Sequence, residues 1–179
     1  MSGMVCYRKI KADELDVSLF QFFIRRQIVN RCRRKINGEW KIVEAPSIDD
    51  WSEDDYTVLV KCLLNTLSAD GFVYGAFIND ELKGFVSVEG TPIGSRGQYM
   101  DLTSIHVSQD VRSRGIGREL FSAAKNFAKE NGAEKLYISA HPSVESQAFY
   151  QAMGCKEAEE YCEEHTEQEP YDCQLECNL

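Results

Sequence analysis

Apolar residues recur at helical spacing most clearly over Gly115–Asn131, where Ile116, Leu120, Ala123, Ala124, Phe127 and Ala128 fall on one face and Asn131-Gly132 closes the segment. A second stripe of Val58, Leu59, Cys62, Leu63 and Leu67 is opened by the capping pair Ser52 and Asp55 and ended by Asp70-Gly71. Short apolar or alternating runs read as strands: Val5–Ile10, two within FVYGAFINDELKGFVSVEG around a turn at Asn79-Asp80-Glu81, QYMDLTSIHV after the Gly94–Gly97 loop, and LYISA. Asp13 is expected to cap a helix running to about Ile36, stopped by Asn37-Gly38, with Trp40–Asp54 irregular. Ser143–Met153 predicts a short helix and Cys155–Leu179 two last strands, with the acidic run Glu157–Glu169 as a mobile connection.

Three consecutive strands suggest an antiparallel meander. Strand, glycine-rich turn, helix and strand over residues 99–140 form a β-α-β unit, whose strands are normally parallel neighbours. The fold class is therefore α/β, with a mixed and mostly antiparallel sheet flanked by helices. A length of 179 residues fits one domain spanning 1–179.

Charge narrows the partners. With 29 acidic and 20 basic residues the net charge is −9, which opposes nucleic-acid binding, and a cationic partner is easier to accommodate. The basic stretch Arg25–Lys35 reads as a solvated helix end. No apolar run approaches bilayer length, so no membrane partner is expected. Seven cysteines form no C-x-x-C pair and no zinc spacing, which argues against a disulfide framework or a metal site. The opening lacks signal-peptide character, and a cytoplasmic location is expected. Assembly as a homodimer stays open.

The segment VRSRGIGREL carries the most chemical information. Amides at the start of a helix lack intrahelical partners and favour an anion, and glycines let a phosphate approach them. Arg112, Arg114 and Arg118 could add charge around such a ligand. The P-loop pattern G-x-x-x-x-G-K-[ST] is absent. A Rossmann fingerprint fails at its third glycine, where Leu120 stands, and lacks an acidic residue at the end of LYISA.

Arg112, Gly115 and Gly117 match the [QR]-x-x-G-x-[GA] pattern of the GNAT family of acyl-coenzyme A dependent N-acetyltransferases, and Phe149, Tyr150 and Gly154 match its later F-Y segment. Residues 98–154 thus resemble the core of that family. The resemblance implies a sheet that splays between the strand ending at Val107 and the strand ending at Ala140, with acetyl-CoA in the gap. Its pantetheine arm would pair with the backbone of Ile105, His106 and Val107. Its diphosphate would sit on the amides from Arg112 through Ser113, Arg114, Gly115, Ile116 and Gly117 to Arg118. Ser143 stands where many relatives carry Asn, and could cap its helix and bond the cofactor arm. Cys155 replaces an aromatic residue.

The resemblance also assigns chemistry. The amide of Val107, at a strand bulge expected there, could donate to the thioester carbonyl. Tyr150 is the candidate acid, and proton transfer from a phenol to a thiolate is uphill by only about 2 kcal/mol; the alternative is that Phe149 and Tyr150 are core aromatics. Asp101 is the candidate base, and in an unbroken strand it shares a face with Val107; the alternative is a carboxylate at a strand start. His106 reads as a packed strand residue. Carboxylates near Trp40–Tyr56 and Glu157–Tyr171 would favour a cationic amine acceptor. The reading is acetyl transfer from acetyl-CoA to a primary amine, against two alternatives: a non-catalytic acyl-CoA-binding regulatory domain, and a dinucleotide-binding fragment.

Overall fold

The structure is a computed structural model and describes residues 3–179. Strand β1 (Val5–Lys9) is followed by two 3₁₀ turns, a long hairpin of β2 (Arg26–Ile36) and β3 (Glu39–Asp50), and helix α1 (Glu53–Ser68). Strands β4 (Phe72–Ile78), β5 (Glu81–Val88) and β6 (Tyr99–Val107) precede α2 (Ile116–Glu130), β7 (Lys135–Ala140) and α3 (Val144–Ala152). The chain ends with β8 (Lys156–Glu157), α4 (Glu163–Gln168) and β9 (Cys173–Asn178).

Seven strands form one sheet in the order β1-β4-β5-β6-β7-β9-β8, and β2 and β3 form a separate ribbon. Among the described residues only β6 and β7 run parallel, and they pair at three positions, Tyr99–Lys135, Met100–Leu136 and Asp101–Tyr137. Beyond Asp101 the two strands separate, so six residues of β6 and the end of β7 border a gap. One core packs Leu120, Phe121, Ala124 and Ala128 of α2 against Val86, Met100, Leu136 and Ile138 of the sheet. A second, on the opposite face, joins Leu59 and Leu63 of α1 to Phe20, Phe77 and Phe85.

Three local expectations hold. Ser52 and Asp55 form a capping box at α1, Asn79 and Asp80 take the left-handed angles of a tight hairpin turn, and α2 spans the predicted segment. All seven cysteines are free thiols. No helix among the described residues is long and apolar enough to cross a membrane.

The helix expected from Asp13 to Ile36 is absent. Residues 26–36 are a strand that pairs with 39–50, which is likewise a strand and not irregular. Asn37-Gly38, with φ of 51° and 81°, is the turn of this hairpin and not a helix stop. The basic stretch accordingly lies on a ribbon. Nor is Glu157–Glu169 a loose connection: it contains α4, Glu160 accepts from the Ser95 amide at 2.6 Å, and His165 reaches Asp101 at 2.6 Å. The β6 bulge sits at Thr103, because Val88 pairs with Leu102 while Ser87 pairs with Ser104. It lies between Asp101 and Val107, so the two no longer share a face in the simple alternation.

Candidate active site

The split between β6 and β7 opens into a cavity of about 800 Å³. Its floor is β6 from Leu102 to Val107, one end is the turn into α2, and α3 contributes Phe149 and Tyr150. Arg25 and Gln27, at the root of the β2–β3 ribbon, form the other end with Ser139, His141, Glu169 and Asp172. The ribbon is held there by bonds from the Arg33 amide to the Pro142 carbonyl (2.8 Å) and from Gln27 Nε2 to Ser143 Oγ (3.0 Å).

The edge of β6 offers unpaired backbone. The Ser108 amide donates to the Lys83 carbonyl at 2.8 Å, and alternation along an antiparallel ladder then turns the amides of Ile105 and Val107 away from β5, toward the gap. His106 lies between them with its ring on the opposite side, edge-on to Trp51 at 4.8 Å and close to Phe85. Arg25 Nε donates to its Nδ1 at 3.0 Å, so the ring proton is on Nε2. Burial, followed by the charges of Arg25 and Arg112, pushes the imidazole pKa down to about 3. The histidine is neutral and packs against these rings, and it lines the gap between the two free amides.

The turn into α2 is built to receive an anion. Ser113 and Gly115 hold positive φ (63° and 81°), and Gly115 is the N-cap of α2. Among the described residues no carbonyl or side chain accepts a hydrogen bond from the amides of Ser113 to Arg118. A Cβ on Gly115 would meet nothing within 4 Å, which leaves open space over the amides. At Gly117 a Cβ would lie 3.1 Å from the Phe149 ring, so this glycine serves packing against α3 as well. A phosphate group fits the free amides. The arginines differ: Arg112 Nε caps the Val107 carbonyl at 3.2 Å, Arg114 reaches the Gly3 carbonyl at 3.3 Å outside the cavity, and Arg118 lines it without a protein partner among the described residues.

The predicted side chains are not all brought together. Tyr150 lines the cavity, its hydroxyl makes no hydrogen bond among the described residues, and burial pushes its pKa up, so it keeps its proton. Ser143 caps α3 as expected, but its hydroxyl proton goes to Ser146 Oγ at 2.9 Å and the residue does not line the cavity. Asp101 is also outside the lining. It is 6% exposed, its Oδ2 is 2.6 Å from His165 Nε2, and its Oδ1 has no partner. His165 stacks on Tyr137 at 5.7 Å as it holds Asp101.

Sequence reasoning did not single out Arg25, Ser139 or Asp172 as site residues. Arg25 is 7% exposed and binds Asp49 at 3.1 Å as well as His106. Ser139 Oγ donates to Asp172 Oδ2 at 3.0 Å, and burial raises the Asp172 carboxyl pKa. Ser139 sits two residues beyond the last β6–β7 pair, a position where an inward polar residue is a usable signal. Asp172 precedes a terminal strand and carries no local signal.

Known folds share this arrangement. Nourseothricin acetyltransferase superposes with a TM-score of 0.67 at 18% identity, over 96% of this chain and 95% of that one. A streptothricin acetyltransferase assigned in Bacillus anthracis str. Ames, solved with acetyl coenzyme A, gives 0.71 at 15% identity over 98% and 99%. The PaiA N-acetyltransferase of Thermoplasma acidophilum, solved with coenzyme A, gives 0.61 at 15% identity over 98% and 99%. No curated protein sequence matches the chain. The family described as "Acetyltransferase (GNAT) family" matches residues 34–155, more than half of the sequence and the stretch that carries the split strands, the amide turn and Tyr150, and the chain belongs to that family.

Proposed function

We propose that this acetyltransferase moves an acetyl group from acetyl-CoA to the nitrogen of a primary amine. The observation that carries the reading is the run of unpaired amides from Ser113 to Arg118, which opens onto the same cavity as Tyr150. Bound acetyl-CoA supplies the acetyl group as a thioester, and structural neighbours solved with acetyl-CoA or CoA support that donor. The free amides at α2 and Arg118 hold phosphate, and the gap-facing backbone of Ile105 and Val107 holds the arm. The Val107 amide orients the carbonyl oxygen. Tyr150, protonated at neutral pH, gives its proton to sulfur. The acidic side chains Glu169 and Asp172 at the opposite end support an acceptor that arrives as a cation.

Two measurements test this. Coenzyme A is expected to raise the melting temperature and NAD to leave it unchanged, because ligand binding stabilises the native state by mass action. Thiol release from acetyl-CoA with a panel of primary amines is expected to exceed the amine-free rate. Equal shifts from both nucleotides would overturn the donor assignment. Coenzyme A binding without amine-dependent thiol release would instead make the chain a binding domain.

A further inference from the structure

We infer that Asp172 is the carboxylate that seats the acceptor's ammonium and takes its proton, an assignment that rests on the N-acetyl transfer reading above. The position of this side chain is fixed by a directed chain of hydrogen bonds. The Cys162 amide donates to the Tyr137 hydroxyl at 2.9 Å, so that hydroxyl spends its own proton on Gln174 Oε1. The Gln174 amide nitrogen then donates to Ser139 Oγ at 3.1 Å. Ser139 is left with one proton, and it goes to Asp172 Oδ2 at 3.0 Å. Every link is oriented, and the last group can only accept. Asp172 Oδ1 has no protein partner among the described residues, and the residue lines the cavity that Tyr150 also lines.

Asp101 does not compete for this role, since His165 covers one of its oxygens and the residue lies outside the cavity lining. The ionisable groups around Asp172 are Tyr150 on α3, His141 after β7, His165 on α4, Glu169 on its own turn, and Arg25 at the start of the ribbon. An alkyl amine is almost wholly protonated at neutral pH: with a lysine-like pKa of ~10.4, only about one molecule in 2,500 is neutral at pH 7. A carboxylate facing the nitrogen both attracts the cation and accepts a proton from it. The C–N bond that forms and the C–S bond that breaks are balanced by two protons leaving the ammonium nitrogen, the first for Asp172 and the second, once the C–N bond exists, for solvent, and by one reaching sulfur from Tyr150. Exchange with solvent restores both residues.

The probes are propylamine, 1,4-diaminobutane and lysine amide, each added to the coenzyme A complex for melting and to acetyl-CoA for thiol release. Wild-type protein should be stabilised further by at least one of these amines, and Asp172→Asn should lose that increment while keeping the shift due to coenzyme A. On the best amine, Asp172→Asn should lower kcat/KM by about 10²–10³-fold at pH 7, with the deficit narrowing as pH rises toward the amine's pKa. Ser139→Ala, which frees the carboxylate without removing it, should give about a tenfold loss with the same pH trend, and it serves if Asp172→Asn folds poorly. An amine-dependent stabilisation no greater in wild type than in Asp172→Asn, or variant pH profiles parallel to wild type, would overturn the assignment. A wild-type protein that coenzyme A fails to stabilise would instead sink the donor reading.

Discussion

Arg25 holds His106 from the side that a proton would have to enter: its Nε occupies Nδ1 at 3.0 Å. Protonating the ring would place two cations in contact beside the Trp51 and Phe85 rings. The folded pKa is therefore depressed, to about 3 from an ordinary 6.5. For a histidine lowered in this way the stabilisation is complete above the unfolded pKa and is lost as pH falls from about 6.5 toward 3. Equilibrium urea unfolding should show wild-type stability falling by about 1.4 kcal/mol per pH unit across that window from this group. His106→Gln, which retains an acceptor for Arg25, should flatten that acid limb; an unchanged pH slope would show that the ring titrates normally.

His165 carries the opposite sign. Its hydrogen bond to Asp101 raises the folded pKa above the ordinary value. The stabilisation is thus fully present below about 6.5 and disappears as pH rises through the higher folded value. His165→Asn should cost more stability at pH 6 than at pH 9. Equal losses at the two values would show that the pair gains nothing from protonation.

The two glycines of the turn should fail differently. Gly115→Ala meets no steric obstacle but puts a Cβ on a residue with φ of 81°, at a cost of about 1–2 kcal/mol in denaturant unfolding. Gly117→Val presses on Phe149 at 3.1 Å and through it on α3, so both the melting temperature and coenzyme A affinity should drop. Calorimetry that finds full affinity in a folded Gly117→Val protein would remove that glycine from the binding turn.

Tyr150→Phe keeps a ring that packs in the core beside Phe149 and removes only the hydroxyl. Maximal acetyl transfer should fall by about 10²-fold, with coenzyme A affinity little changed. The deficit should persist at high pH, because supplying neutral amine does not replace a proton for sulfur. Wild-type kcat in the variant would leave Tyr150 a packing residue.

The β6–α2–β7 unit was legible because its signals are local: a periodic stripe, a two-glycine turn and a short apolar strand lie within 42 residues, 99–140. Residues 26–36 misled for a physical reason. The bulge between Val29 and Arg31 brings Val29 and Cys32 to the buried side, three residues apart, and that spacing imitates a helix. Asn37-Gly38 suits a helix end and a tight hairpin equally, so it could not correct the error. Tyr150 lies in a motif, and the structure sets it in the cavity lining. Asp172 depends on Ser139, 33 residues earlier, and on a relay through Gln174 and Tyr137 that only the folded sheet assembles.

The ribbon of residues 26–50 leaves and rejoins the body at one place, where the Trp51 amide bonds the Arg25 carbonyl at 3.0 Å. Farther along, the Arg33 amide bonds the Pro142 carbonyl at 2.8 Å and Lys35 pairs with Glu157 at 3.1 Å, so the ribbon is strapped across the segment between β7 and α3 as well as anchored at its root. It contributes Gln27 to the cavity, and its root contributes Arg25, while the amide turn at α2 belongs wholly to the body. A change of length or charge in the ribbon therefore reaches the cavity through Arg25 and Gln27 alone, at the end away from the amide turn.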